Sequence, residues 1–481
     1  MPRRARRPNK KHNSRSYSAY DGKSLLYYHR DSRHVRRGNR DRSDLRTRNS
    51  VSRDRTSAAA KANNKREEIH NMRLYIDPGT GSMLFAILIG LLGALRYLLK
   101  AWLVKIRFRL SGGKGAEVAQ EKLPLVIFSD DKRYWNVFEP VCRELCGRGV
   151  DITYMTESED DPALTCGYEH LHGEFIGHGN KGFAKLNFLC ATILLSTTPG
   201  LDVYQWKRSK NVDCYIHMLH APSEISGYRM FGTDYYDTIL VSGDFQVEQI
   251  RELEKLRGLP QKEIVHIGIP YLDEMAKRLK SDPPQPHKKR TVLLAPSWGS
   301  SAILSRYGGE MIERLLKTGD HIIVRPHPQS FASEKELMDE LMKKYPDSEQ
   351  LEWNRDNDNF EVLKRSDIMI SDFSGVIFDF ALVYDKPVIY ADTDYKSDPY
   401  DTWWLGGRPW TFDVLPRLGM PLTKDNFGEL EQLIDSCLSE ERFKTGRDEV
   451  RREVWEYPGE GAKRAADFLQ EKYRSLTSAK E

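Results

Sequence analysis

Short apolar runs and stretches of helical spacing take turns along most of this chain. Runs at 123–128, 151–155, 191–196, 214–219, 238–241 and 264–267 are almost continuously apolar. Strands covered on both faces read this way, whereas half-exposed strands alternate. Apolar positions with a helical period fall at 135–146 and 245–257. A polar, proline-rich break at 281–290 interrupts the pattern, which then starts again. Strands are expected at 292–295, 321–324, 368–371 and 387–391, and helices at 309–318, 333–345, 360–364 and 375–383. Residues 426–476 read as terminal helices. Strands alternating with helices predict parallel α/β layers. The break divides them into two Rossmann-like domains facing a cleft, an N-terminal one over 120–280 and a C-terminal one over 290–481.

The first 119 residues depart from this pattern. Residues 1–71 hold 21 of the 74 Lys/Arg and 7 of the 70 Asp/Glu, a local net of +14. The remainder therefore holds 53 and 63, a net of −10, so the overall +4 conceals a basic tail on an acidic body. Such a body argues against nucleic acid as the main ligand, which needs a basic surface. The tail is too polar to offset its ordering entropy and is expected to be disordered. Translation starting at Met72 and a nucleic-acid arm are the other readings of it.

An apolar run at 83–95 follows, and it extends to about residue 104 if Arg96 and Lys100 snorkel, close to the ~20 residues that span a bilayer. Residues 72–110 are therefore read as a membrane helix with its flanks, against an interfacial helix or a buried soluble one. No small-residue cleavage site follows, which argues against a signal peptide. Lys100, Lys105, Arg107 and Arg109 put the C-terminal side of this segment in the cytoplasm. Residues 111–119 read as a linker. The six cysteines are scattered with no CxxC pair, as in a reduced, cytosol-facing protein.

The candidate chemistry sits at strand ends. Arg325-Pro326-His327-Pro328 ends one apolar strand, and its prolines stiffen the loop. Arg325 suits a phosphate, and His327 suits donation to a leaving oxygen. A second strand ends at Ser371-Asp372, with a helix expected from about Ser374. Ser374 would be its N-cap, and the amides of Ser374 and Gly375 would form an anion site. Asp379, one turn on, would bind a sugar hydroxyl or answer the helix dipole. His220, at the end of 214–219, mirrors the His327 loop and reads as a general base. His217 and His220 make a poor metal pair, because residues three apart on a strand face opposite ways. His170 and His172 are discounted as well, and no metal or cofactor is expected. Pro296 and Ser297, in Ala295-Pro296-Ser297-Trp298, lie where backbone can approach a nucleotide. No P-loop, kinase or triad arrangement is present.

Together these motifs resemble the CDP-glycerol glycerophosphotransferase family of teichoic-acid enzymes, closely over 210–400 and loosely over 120–210. The resemblance implies a GT-B-like α/β fold, with the nucleotide held mainly by the C-terminal domain. It implies His220 and His327 as catalytic residues and Pro296, Ser297, Arg325, Pro326, Asp372, Ser374, Gly375 and Asp379 as substrate-binding ones. The expected activity is transfer of glycerol phosphate from CDP-glycerol, or a related CDP-polyol, to a lipid-linked or polymeric glycan acceptor at the membrane. A UDP-sugar glycosyltransferase or epimerase and a non-catalytic membrane scaffold are the rival readings. Two departures stand out. The family reads His-Gly-Thr-Pro-Leu-Lys where this chain has His220-Ala221-Pro222-Ser223-Glu224-Ile225, without the lysine. It reads Gly-x-Pro-Arg-x-Asp where this chain has Gly268-Ile269-Pro270-Tyr271-Leu272-Asp273, without the arginine.

Overall fold

The computed structural model describes residues 122–478 apart from 357, 392–396 and 399. The basic tail and the expected membrane helix lie outside these residues. Among the described residues, no helix is long and apolar enough to cross a membrane.

Two all-parallel sheets carry the fold. The first has β1 (Leu123–Ser129), β2 (Ile152–Thr156), β3 (Leu171–Phe175), β4 (Ala191–Ser196), β5 (Val212–Met218), β6 (Thr238–Val241) and β7 (Glu263–His266), in the order β3-β2-β1-β4-β5-β6-β7. The second has β8 (Thr291–Leu294), β9 (His321–Val324), β10 (Leu351–Trp353), β11 (Ile368–Ser371), β12 (Val388–Ala391) and β13 (Gly419–Leu422), in the order β10-β9-β8-β11-β12-β13.

The continuous apolar runs have the cause expected of them. Successive side chains of a strand point to opposite faces, and helices cover both. On β1, Ile127 joins Phe138 and Leu145 in one core, while Val126 and Phe128 join Trp206 and Tyr215 in another. On β8, Leu293 and Val292 likewise feed different cores. The helix Trp135–Gly147 buries Phe138, Val141, Cys142 and Leu145, one stripe at helical spacing.

Three strands were not foreseen, β3, β10 and β13, and all three are sheet edges. An edge strand has one covered flank and carries polar residues, so its pattern is weak; His172 and Gly173 of β3 are exposed. The helix expected at 309–318 starts earlier, as Ile303–Lys317, with a kink at Gly308 (φ 52°). The one expected at 333–345 is two pieces, Ser330–Ser333 and Lys335–Lys344.

The C-terminal boundary at 481 needs correction. The helix Gly461–Ser478 packs on Trp135–Gly147, and its Ala465, Ala466 and Leu469 complete the core of the first sheet. The chain therefore crosses back, and its last helix belongs to the first domain. Two residues of the family-like segment at 268–273 hold the crossing. Gly268 has φ +79°, and a Cβ there would lie 2.3 Å from the carbonyl oxygen of Glu456. Asp273 accepts hydrogen bonds from Gly459 N (2.7 Å), Gly461 N (2.8 Å) and Trp455 Nε1 (2.9 Å). Asp273→Ala is expected to destabilise the fold by about 2–4 kcal/mol, because it leaves the part-buried donors of Trp455 and Gly461 without an acceptor. A lowered urea midpoint, with the C-terminal helix the first segment cut by protease, checks this.

Candidate active site

An open parallel sheet leaves a crevice at the carboxyl ends of its strands where the strand order reverses. The reversal lies between β1 and β4 in the first sheet and between β8 and β11 in the second. Both are fixed in the same way. Ser196 Oγ, ending β4, donates to Phe128 O of β1 (2.9 Å), and Ser371 Oγ, ending β11, donates to Ala295 O just after β8 (2.6 Å). Polar residues crowd the first switch point as Asp130–Tyr134 and Thr197–Thr198, with His220 arriving just past β5. The second gathers Ala295–Trp298 and Asp372–Gly375, with Arg325 and His327 arriving off β9.

In the first half, the Nδ1 of His220 lies 2.8 Å from Thr197 Oγ1, and its ring packs 5.2 Å from that of Tyr134. Burial, and then the Arg133 guanidinium, push its pKa down to about 4, so the imidazole is neutral. His217 goes inward instead. It is fully buried beside Tyr228 and Tyr236, and its pKa falls to about 3 through burial and then His220. It is a core residue. Asp130 accepts from Thr198 Oγ1 (2.9 Å), and burial raises its pKa. The position of the missing lysine is Ile225, which has no exposed surface. Its neighbour Glu224 accepts from Thr411 N (2.6 Å) and Thr411 Oγ1 (2.7 Å), tying the two domains together.

In the second half, the Nδ1 of His327 accepts from Gln329 N (3.1 Å). That bond fixes the tautomer and leaves the proton on Nε2. Burial first, then Arg133 and Arg325, lower its pKa to about 4. At neutral pH it is therefore a hydrogen-bond donor without charge. Arg325 is braced through Nη1 by Asn354 Oδ1 (2.5 Å) and Asp356 O (2.8 Å).

Several expected ligand contacts turn out to be framework. Asp372 has no exposed surface, and its carboxylate accepts from Ser297 N (2.9 Å), Phe373 N (2.8 Å) and Ile303 N (3.0 Å). It shapes the 296–303 loop, with its buried carboxylate turned to the backbone. Pro296 and Pro326 are buried beside their strand ends. Ser297 is 7% exposed. Ser374 does not cap the helix. The helical turn begins at Val376 with Gly375 in the cap position, and no side chain caps it. Ser374 and Gly375 stay accessible at the second switch point.

Asp379 opens a π-helical turn, Asp379–Val383, that follows three α-helical residues. Such turns re-aim side chains and are frequent at functional sites. Asn359 Nδ2 donates to Asp379 Oδ2 (3.2 Å), and Tyr271 Oη donates to Asn359 Oδ1 (3.1 Å). Tyr271 is the residue standing where the family has arginine, so a neutral relay replaces a cation there. Burial raises the pKa of Asp379 to about 7. A raised carboxyl pKa contributes stability that is full below about pH 4 and is lost as pH rises through about 7. Asp379→Asn is expected to remove that loss, so its melting temperature gains on the wild type between about pH 5 and pH 8. Thermal melts across that range check it.

Sequence reasoning missed Asp130, Arg133, Tyr134, Thr197, Thr198, Asn354, Asn359 and Tyr271. A usable signal was present for the first five. Ser129-Asp130-Asp131-Lys132-Arg133-Tyr134 and Ser196-Thr197-Thr198 are polar runs that directly follow fully apolar strands.

Two Rossmann-like domains, each with a polar switch point and a histidine loop beside it, define a GT-B-like fold. A solved structure shares this fold. A histidine-to-asparagine variant of the wall teichoic acid polymerase TagF, soaked with CDPG, aligns with a TM-score of 0.50 at 15% identity, covering 80% of this chain and 97% of that one. Residues 231–464 match the CDP-glycerol:poly(glycerophosphate) glycerophosphotransferase family, the one the motifs resemble. Teichoic acid glycerol-phosphate primases are its curated relatives: that of Bacillus spizizenii W23 is 26% identical over 171 residues, and that of Bacillus subtilis 168 is 25% identical over 170. Each match covers 34% of this chain, and the chain spans 42% and 41% of those relatives.

Proposed function

We propose that this protein transfers glycerol phosphate from CDP-glycerol to a hydroxyl of a cell-envelope polymer or lipid-linked primer, releasing CMP. The carrying observation is the pairing of two neutral histidines of complementary role. His327 presents an Nε2 proton from the second sheet, and His220, anchored through Nδ1 to Thr197, stands ready as a base on the first. The family matched over 231–464 and the primase relatives support the same chemistry.

The acceptor hydroxyl gives its proton to His220 Nε2 as its oxygen attacks the β-phosphorus, which bears the glycerol. The new O–P bond forms as the bond from that phosphorus to the bridging oxygen breaks. CMP leaves with the electron pair, met by the Nε2–H of His327 and by Arg325. Positioned donors aimed at developing charge are the main lever in such transfers. Asp379, held by Asn359 and through it by Tyr271, would meet a hydroxyl of the donor.

The membrane side of the proposal rests on the sequence. The apolar run at 83–104, with its basic flank, would anchor the catalytic body to the cytoplasmic face. The test is CMP release by the full chain in detergent, with CDP-glycerol and an envelope glycan or lipid extract. Acceptor-dependent release supports the proposal. Turnover of UDP-sugars with CDP-glycerol untouched would replace it with the glycosyltransferase or epimerase reading.

A further inference from the structure

Arg133 sits on the single turn Lys132–Tyr134, just past the carboxyl end of β1 and at the first switch point. The next residue, Tyr134, is the one packed against the ring of His220. Asp131 clamps the guanidinium from one side, taking Nε on Oδ1 (2.8 Å) and Nη2 on Oδ2 (3.2 Å). It also accepts from the Arg133 amide (2.9 Å), so turn and side chain share one anchor. The Arg133 side chain remains 45% exposed, and among the described residues its Nη1 has no hydrogen-bond partner. Its charge acts on the imidazoles of both His220 and His327, one from each sheet. Through Tyr134, the turn that carries the guanidinium adjoins His220.

Among the described residues, the cation beside it on the turn is committed, and the one on the second sheet is assigned to the leaving CMP. Lys132 is paired with Asp160. Arg325 is braced by Asn354 and Asp356. The family's lysine is absent, and buried Ile225 takes its place. A donor pyrophosphate held here would still need a cation on the first-domain side.

We propose that Arg133 binds the transferring phosphoryl group of the donor, its guanidinium reaching the phosphate oxygens between His220 and His327. This deepens the reading above and rests on its phosphate-bearing donor. The chemistry suits the residue. Phosphoryl transfer spreads charge over the equatorial oxygens of the phosphorus in flight. An arginine fork meets two such oxygens at once, which an ammonium does not. The clamp by Asp131 leaves the guanidinium pre-aimed. Its positive charge adds to burial, the larger cause, in holding both imidazoles neutral.

The test uses the full chain in detergent with inorganic pyrophosphate as the probe, following the imidazole resonances of His220 and His327 by NMR. Wild-type protein is expected to bind pyrophosphate with shifts at both histidines. Arg133→Gln is expected to weaken that binding by roughly 10–100-fold, the loss typical of a charge-assisted contact. It is also expected to raise the titration midpoint of both imidazoles. Arg133→Lys is expected to keep the low midpoints while regaining part of the affinity. Because the side chain is exposed, neither substitution should unsettle the fold. Unchanged pyrophosphate affinity in Arg133→Gln overturns the proposal, as do unmoved midpoints or a wild type that binds no pyrophosphate. Arg133-dependent pyrophosphate binding in a protein that leaves CDP-glycerol intact would support this assignment while sinking the donor reading.

Discussion

Replacing His220 with alanine lowers acceptor-dependent CMP release by about 10²–10⁴-fold, the range for loss of a general base, and leaves CDP-glycerol binding in place. The split follows from position. His220 belongs to the first sheet, while the nucleotide is expected on the second. Its Nδ1 is held by Thr197 at 2.8 Å and its ring is walled by Tyr134, so Nε2 has a fixed direction. The pKa near 4 keeps the imidazole neutral across the neutral range, and the base role requires Nδ1–H to donate to Thr197 Oγ1 so that Nε2 carries the free lone pair. The acid limb of kcat/KM, which reports the free protein, should therefore fall near pH 4 and not near 6.5. Steady-state kinetics with varied CDP-glycerol separate kcat from KM. A loss under about tenfold, or one confined to KM, would remove His220 from the base role.

His327→Ala is the second large effect, a loss of about 10²–10³-fold in kcat, as when one donor to a developing anion is removed. The tautomer makes this specific. With Nδ1 accepting from Gln329 N, only Nε2 carries a proton, and it can serve only as donor. The group it would serve is the departing CMP oxygen. A donor whose leaving group is a weaker base should lose less in the same variant, since it needs less help to depart. Equal losses for both donors would mean that His327 holds the substrate without stabilising departure.

The sequence placed His220, Arg325 and His327 at strand ends, and the structure puts them at or beside the two switch points. Central strands were legible because burial on both faces makes them continuously apolar, as in β1 and β8. Three of the four edge strands, β3 among them, were not, since one flank faces solvent and weakens the apolar pattern. The roles of Asp372 and Ser374 were misread for a different reason. A motif shows that a residue type recurs at a strand end, but not whether its polar atoms face the ligand or the backbone. Asp372 spends its carboxylate on three amides. Arg133 and Tyr134 were overlooked because the run after β1 looked like an ordinary polar turn. Only the packing of the Tyr134 ring on His220 reveals where that turn leads. The return of Gly461–Ser478 to the first domain was equally hidden, because an amphipathic helix does not announce which sheet it will cover.

The most direct measurement follows the phosphorus. CDP-glycerol labelled at its β-phosphorus would be incubated with the full chain and an envelope acceptor, and polymer and nucleotide then separated. Label in the polymer with unlabelled CMP released, lost in both His220→Ala and His327→Ala, is the expected result. Label leaving as CDP would contradict direct glycerol-phosphate transfer, since the β-phosphorus would then have stayed with the nucleotide.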